Sequence, residues 1–567
     1  MSPLVWIVVV GVNGAIILFG IWKSRETTSA ADWFLAARGL PWWMVGLSMF
    51  ATAVDSGDYV AVAGESFRSG MSYISAWWIG ISLGWLVVAY LVFLPMYRQG
   101  MYTNAEYLEH RFGPMTRLIS VFIQIQYRTN VIANVAYSLY LVFSALTGWG
   151  LETWWLVVAI AVGAALYTAS GGLKSVALTD SLQSVVMLAA AFFLWWVIWG
   201  DVGGWTGLER RLTEQSPEIA QRMLHVGAEV TEGVPGALVV VGWIIALTAY
   251  CVVNHSQSMR MLAARSEWDV KMAAVMAAAV TAVVMWFNVT LGIMGRGLYP
   301  EVTDADTIFP LLIQNHLSEG LLALVVAGLL AGGISTFDSI GSALAAVFTR
   351  DVYARFLVRN GTDRHYVTVS RITTVVVIAL SFCYIPFMEV GMVELYLQLI
   401  GVLVIPLLTV YMMGILTSVH RSAGTIGLFA GMICGLARFV DQLPFWRWES
   451  LPIWWSNKWW GYLWGIAATA LAMLITTLIR GRATAAELRG LTWATTKSAA
   501  EPGQPAVAAG SPAMASSQEG AWLAESRERL LANRLAEEPQ RGWYAKPLLW
   551  TILVFGAIWI FNLVIFW

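Results

Sequence analysis

Charge is what this chain has least of. Of its 567 residues only 12% are Asp, Glu, Lys or Arg, while 58% are hydrophobic. A water-soluble globule of this length needs far more charge to cover its surface, so a polytopic membrane protein is implied. Cysteine is nearly absent: Cys251, Cys383 and Cys434 lie in apolar segments without disulfide or metal-ligand spacing and read as packing residues. The six histidines fall in loops or at segment ends. No nucleophile–His pair and no metal-ligand cluster sits in the apolar segments, so the pattern is not that of an enzyme. The first apolar stretch, residues 4–22, lacks a basic leading region and a small-residue cleavage site, and is expected to be a retained span. No nucleic-acid partner is expected.

What the chain has is long apolar runs. Segments at 4–22, 42–64, 71–95, 117–147, 153–169, 176–199, 235–255, 272–295, 321–347, 367–388, 392–415, 422–438, 456–479 and 547–566 are each of a length to cross a bilayer, about 20 residues. That is about 14 transmembrane helices in an all-α chain. With the N-terminus outside, 25 of the 34 Lys and Arg fall in inner loops, so the positive-inside rule favours an N-out, C-out multi-pass protein of the plasma (inner) membrane. Pairs such as Trp42-Trp43, Trp154-Trp155 and Trp459-Trp460 mark the interfaces with the lipid bilayer. A short amphipathic helix is expected at residues 308–316. The outer segment 200–234 should be partly helical. Residues 495–517 are rich in Ala, Pro, Gly and Ser and should be flexible, and 519–538 has an amphipathic helical pattern.

Some polar residues stand where a membrane disfavours them. Ser335, Asp338, Ser339 and Ser342 share one face of the 321–347 segment, one turn beyond Gly332-Gly333. Oxygen ligands of this kind suit a hard cation such as sodium; a polar helix–helix contact would use the same residues. Asp55, Gly57 and Asp58 interrupt the second segment and suggest a broken helix with free carbonyls, or a buried ion pair with Arg128. Arg128 lies about ten residues inside its span, too deep to snorkel, and must pair with a protein or a substrate carboxylate. Asp180 and Gln183 share a face of the sixth segment; Asp180 could reach a cation or serve a helix N-terminus.

The chain also carries Asp32-Trp33-Phe34-Leu35-Ala36-Ala37-Arg38-Gly39-Leu40-Pro41-Trp42-Trp43, Ser170-Gly171-Gly172-Leu173-Lys174 followed by Thr179-Asp180 and Gln183, and Arg260-Met261-Leu262-Ala263-Ala264-Arg265-Ser266. A fourth piece, Ala331-Gly332-Gly333-Ile334-Ser335-Thr336-Phe337-Asp338-Ser339, runs on into Phe348-Thr349-Arg350-Asp351-Val352-Tyr353. Together, in this order, they resemble the sodium–solute symporter family over residues 1–480. The resemblance implies a LeuT-like core of two inverted five-helix repeats with extra N- and C-terminal helices. It also implies alternating access, with sodium as coupling ion, no cofactor, and a small solute as partner.

Carried over by residue, the resemblance implies a common sodium site of Ala51, Val54 and Gly332 carbonyls with Ser335 and Thr336 hydroxyls. A second sodium site would use Asp180, Ser335, Asp338 and Ser339. Asp338 stands where members with that site have a hydroxyl, so a proton-coupled symporter is an alternative; a transporter-like sensor is another. The sugar-type acidic residue of the third span is replaced by Trp77, and the sugar-type Asn and Trp of the broken seventh span by Leu247 and Cys251. Tyr250 and Gln398 match sugar-contacting positions. Arg128 is one turn from the position of the carboxylate-binding arginine of sialic acid transporters. The expected substrate contacts are Asp58, Trp77, Arg128, Tyr250 and Gln398, around a small polar solute, carboxylate-bearing or zwitterionic. The expected divisions are 1–40 (extra helix and loop), 41–200 and 201–420 (the repeats), 421–480 (further spans), 481–545 (cytoplasmic linker) and 546–567 (last span).

Overall fold

The computed structural model describes residues 1–24, 30–71, 76–227, 234–390, 392–441, 451–496, 525–526, 528–530 and 542–567. These residues are helical apart from loops and one isolated parallel bridge, Leu40 to Ala264. Thirteen helices are long and apolar enough to cross a membrane; a shorter apolar helix, Trp42–Ala53, reaches that length only together with the helix that follows it.

The part of the chain that positions the site runs as follows: α1 (Pro3–Ser24), α2 (Trp42–Ala53), α3 (Ser56–Ser69), α4 (Ala76–Val87), α5 (Pro114–Thr147), α6 (Thr153–Ser170), α7 (Leu173–Val202), α8 (Gly236–Val253), α9 (His255–Leu262), α10 (Glu267–Leu298), α11 (Ile308–His316) and α12 (Glu319–Val347). The outer segment between α7 and α8 contains helices Gly204–Gln215 and Pro217–Leu224, and α11 has the bounds expected from its apolar pattern. Five further spans follow α12, the last beginning at Pro547.

Two spans are broken, each at a polar residue. Between α2 and α3, Val54 is extended (φ −119°, ψ 116°) and Asp55 caps the second half. The Asp55 carboxylate accepts the N–H groups of Gly57 and Asp58, and the Asp58 carboxylate accepts the N–H of Asp55. This reciprocal cap satisfies the donors that a helix start leaves free. Between α8 and α9, Asn254 leaves the helix and accepts the Ser256 N–H at 3.0 Å. The half-spans α2 and α9 are tied at their ends away from the breaks: Leu40 N–H donates to Ala263 O and Arg265 N–H to Leu40 O, both at 3.1 Å.

Close backbone approach sets the packing. α12 lies along α7, and both lie against α1 and α2; α10 lies against α2 and α3. Gly328 faces Ala190 of α7, and Gly332 faces Met187 and the Asp55–Ser56 backbone at the break. Without lipid-excluding hydrophobic force between spans, small residues of this kind let dispersion hold the helices.

The chain just before the stretch expected to be flexible is docked. Trp493 N–H donates to Ile415 O at 2.9 Å, and Tyr107 Oη to Leu491 O at 3.0 Å. Most of 495–517 and of the 519–538 amphipathic pattern lies outside the described residues, although 525–526 and 528–530 are helical.

A Cβ placed on Gly292 would lie 2.1 Å from Ala63 O, whereas one on Gly163 meets nothing within 4 Å. Gly292→Ala should therefore cost about 1–3 kcal/mol of stability and lower the melting temperature of the purified protein, with Gly163→Ala close to neutral in the same melt.

Candidate functional site

The first break frees carbonyls. In an unbroken helix Ala51 O would accept the Asp55 N–H and Val54 O the Asp58 N–H. Here the Asp55 N–H goes to the Asp58 carboxylate and the Asp58 N–H to the Asp55 carboxylate. Ala51 O lies 3.1 Å from Ser335 Oγ. Thr336 Oγ1 is 3.5 Å from Asp55 Oδ2, and Gly332 packs against the Asp55 backbone. All five residues expected at the common sodium site thus meet where α12 passes the break. Carbonyl and hydroxyl oxygens are the hard donors that an alkali cation prefers.

One turn inward lie the residues expected at the second sodium site. Asp180, Ser335 and Ser339 are directly linked: Ser335 Oγ donates to Asp180 Oδ1 at 2.6 Å and Ser339 Oγ to Asp180 Oδ2 at 3.3 Å. The Asp180 carboxylate, expected to face a mobile cation, already holds a resident one. Arg260 of α9 pairs with Asp180 Oδ2 at 2.8 Å, donates through Nε to Ser48 Oγ at 2.6 Å, and through its guanidinium to Ser339. Both partners of the pair are fully buried. Asp338 stands apart from this set. Its carboxylate is 1% exposed, neither oxygen has a hydrogen-bond partner, and it faces Tyr167 and Thr168 of α6.

Beside the break is a cavity of about 70 Å³. Asp58, Trp77, Arg128 and Tyr250 line it, as expected from the sequence. Gln398 does not: its amide donates to Glu394 at 2.8 Å, and Glu394 is paired with Lys458. The neighbouring Glu394–Lys458 pair engages that side chain, and Tyr396, two residues earlier, lines the wall instead. Trp243, Asn134 and Asp55 complete the polar and aromatic lining.

Arg128 is the exceptional member. It is buried, none of its three guanidinium nitrogens is hydrogen-bonded, and it stacks over the rings of Tyr250 (5.2 Å) and Tyr127 (5.6 Å). Cation–π contact offsets part of the cost of burying a guanidinium, but leaves its five donors unused.

Removing Arg260 would leave Asp180 charged and unpaired, a loss of about 3–5 kcal/mol. Arg260→Met should therefore lower the melting temperature sharply, and Arg260→Met combined with Asp180→Leu should recover a substantial part of the loss. An additive double variant would show that the two charges do not act as a pair.

The comparisons with known proteins agree with this geometry. Residues 33–435 match the family described as the sodium:solute symporter family. Among curated relatives, the sodium/glucose cotransporter 4 of Danio rerio is 27% identical over 472 residues, 76% of this chain and 70% of that protein. The sodium/glucose cotransporter of Vibrio parahaemolyticus is 27% identical over 470 residues, 77% of this chain and 85% of that protein. Among solved structures, the substrate-bound outward-open state of a Na⁺-coupled sialic acid symporter aligns with a TM-score of 0.73 at 21% identity, covering 85% of this chain and 99% of that one. The nucleobase-cation-symport transporter Mhp1, in a closed conformation, aligns with a TM-score of 0.53 at 15% identity, covering 82% and 99%. These likenesses show the LeuT-like fold. The chain belongs to the sodium:solute symporter family, whose members are not enzymes but secondary transporters coupling sodium to the movement of a small solute.

Proposed function

We propose that the protein carries a small carboxylate-bearing or zwitterionic solute inward with sodium, in an N-terminus-out orientation. The sodium would bind Ala51, Val54 and Gly332 carbonyls and the Ser335 and Thr336 hydroxyls. The observation that carries the solute class is Arg128, whose guanidinium is buried at a cavity wall with its donors unused. A carboxylate is the group that a planar guanidinium grips with two parallel bonds. On the same wall system Asp58 offers an acceptor to an ammonium or hydroxyl, and Trp77, Trp243, Tyr250 and Tyr396 provide apolar faces. Several relatives are named as sodium/glucose cotransporters. A neutral sugar offers the Arg128 guanidinium no planar pair of charged oxygens to grip, so sugar is the weaker reading for this cavity.

Sodium would reach the break first and draw α12 and α2 together, with the solute cavity one residue layer away at Thr52, Ala53 and Asp55. Proximity of this kind makes the two ligands stabilise one conformation jointly, which is the thermodynamic content of coupling.

The purified protein should melt higher in sodium than in equimolar potassium or choline. The gain should approach about 2.7 kcal/mol when sodium exceeds its dissociation constant a hundredfold. Thr336→Ala should reduce that gain. A melt that shifts with pH and ignores sodium would point to a proton as the coupling ion.

Arg128→Gln should weaken the solute by about 100-fold, equivalent to about 3 kcal/mol for two charge-assisted bonds, while leaving the sodium-dependent melt in place. Unchanged uptake of the identified solute by that variant overturns the carboxylate assignment.

A further inference from the structure

Arg38 spreads its donors over three separate parts of the chain. Nη1 donates to Leu262 O at the end of α9 (2.6 Å), Nη2 to Met101 O in the turn before the helix Asn104–Phe112 (2.7 Å), and Nε to the hydroxyl of Ser526 (2.7 Å). Arg38 is 1% exposed and Ser526 2%. The first two contacts are to backbone carbonyls of the helical body. The third comes from a stretch 488 positions further along, outside every span, where Glu525 pairs with Arg529 at 2.8 Å and Leu530 packs against the core.

The backbone under Arg38 is strained. Ala36, Ala37 and Arg38 have φ of 47°, 50° and 55°. For residues with a Cβ, this left-handed region is disfavoured, and such strain persists only where the surroundings hold it. What holds it is the fan of Arg38 bonds. Two residues on, Leu40 makes the bridge to Ala264 that ties the inner half α2 to the inner half α9. These halves belong to the two broken spans. They must part at this end before anything in the cavity can leave on the inner side.

We propose that the segment bearing Ser526 is a strap on the inner gate. Docked, its hydroxyl supplies the third anchor of Arg38, fixes the strained 36–40 turn and so locks α2 to α9. Undocked, it withdraws the Ser526 acceptor from Arg38, the turn relaxes, and the Leu40–Ala264 bridge opens more readily. A buried guanidinium losing an acceptor forfeits a charge-assisted bond, and the released strain acts in the same direction. Rate control by an inner segment follows: whatever captures that segment unlocks the gate. The inference goes beyond the proposed solute, and rests on the proposed orientation only for which side is called inner.

The test needs no solute. Hydrogen–deuterium exchange of the purified full-length protein in saturating sodium chloride reads the two bridge amides, Leu40 and Arg265, against those of α12. Ser526→Arg, which sets a second guanidinium against Arg38, should raise exchange at the bridge at least tenfold and leave α12 unchanged. Ser526→Ala should raise it less, and Ser526→Thr, which keeps the acceptor, should restore protection. Lowering sodium should amplify the difference between Ser526→Ala and the wild type. Unchanged bridge exchange in Ser526→Arg overturns the strap. An equal rise throughout α12 also overturns it, because Ser526 would then merely support the fold. If Ser526→Arg does not fold, the comparison of Ser526→Ala with Ser526→Thr decides in the same way. The sodium-dependent melt is read separately, so failure of the strap and failure of the sodium site are distinguishable.

Discussion

The buried pair of Arg260 and Asp180 is the contact on which the site is assembled. Four elements meet in it: α9 supplies the guanidinium, α7 the carboxylate, α2 the Ser48 hydroxyl, and α12 the hydroxyls of Ser335 and Ser339. Two isolated charges at this depth would each be severely disfavoured, and their attraction offsets that only when the remaining polar atoms are also paired. Here the surrounding serines do that. Because the serines come from two helices, Ser48 from α2 and Ser335 and Ser339 from α12, satisfying the charges fixes how far α12 slides along α2, and hence that the Ser335 hydroxyl reaches the Ala51 carbonyl.

From that register the rest follows by backbone accounting. A continuous helix through residues 51–58 would use its own carbonyls. The Asp55–Asp58 reciprocal cap takes the two N–H groups that Ala51 and Val54 would have paired with, and the carbonyls are left to other partners. The same accounting explains why two carboxylates can stand in the middle of a span: they satisfy helix-end donors. Asp58 therefore has two duties, capping α3 and lining the cavity.

The spans were legible because hydropathy is a local property, and a run such as residues 4–22 or 321–347 needs no partner to declare itself. The first break was legible too, since Asp-Ser-Gly-Asp within an apolar run has few uses in a membrane. What could not be read was pairing across long separations. Asp180 and Arg260 are 80 positions apart, and each stood in a recognised motif; only the demand that a buried carboxylate find a cation could have joined them. Gln398 was placed at the cavity by its motif position, but Glu394, one turn away and itself tied to Lys458, takes its amide. Tyr396, on the helix Met392–Leu399, carried no polar signal beyond its type. Asp338 was visible as an anomaly, but its separation from Asp180's hydrogen bonds was not.

Arg260 has a consequence for how steep a gradient the protein can build. A single sodium entering across 100 mV releases about 2.3 kcal/mol, and a tenfold concentration difference adds about 1.4 kcal/mol. One ion per cycle therefore caps the accumulation of a neutral solute at about 500-fold, and two ions at about 10⁵-fold. The carboxylate that would attract the second ion is Asp180, whose negative charge is already balanced by a guanidinium that cannot leave the protein. If the proposed second site is used, the higher ceiling would require a conformation where Arg260 shares or releases that carboxylate. On that proposal, the concentrating power would follow from how firmly one arginine is held.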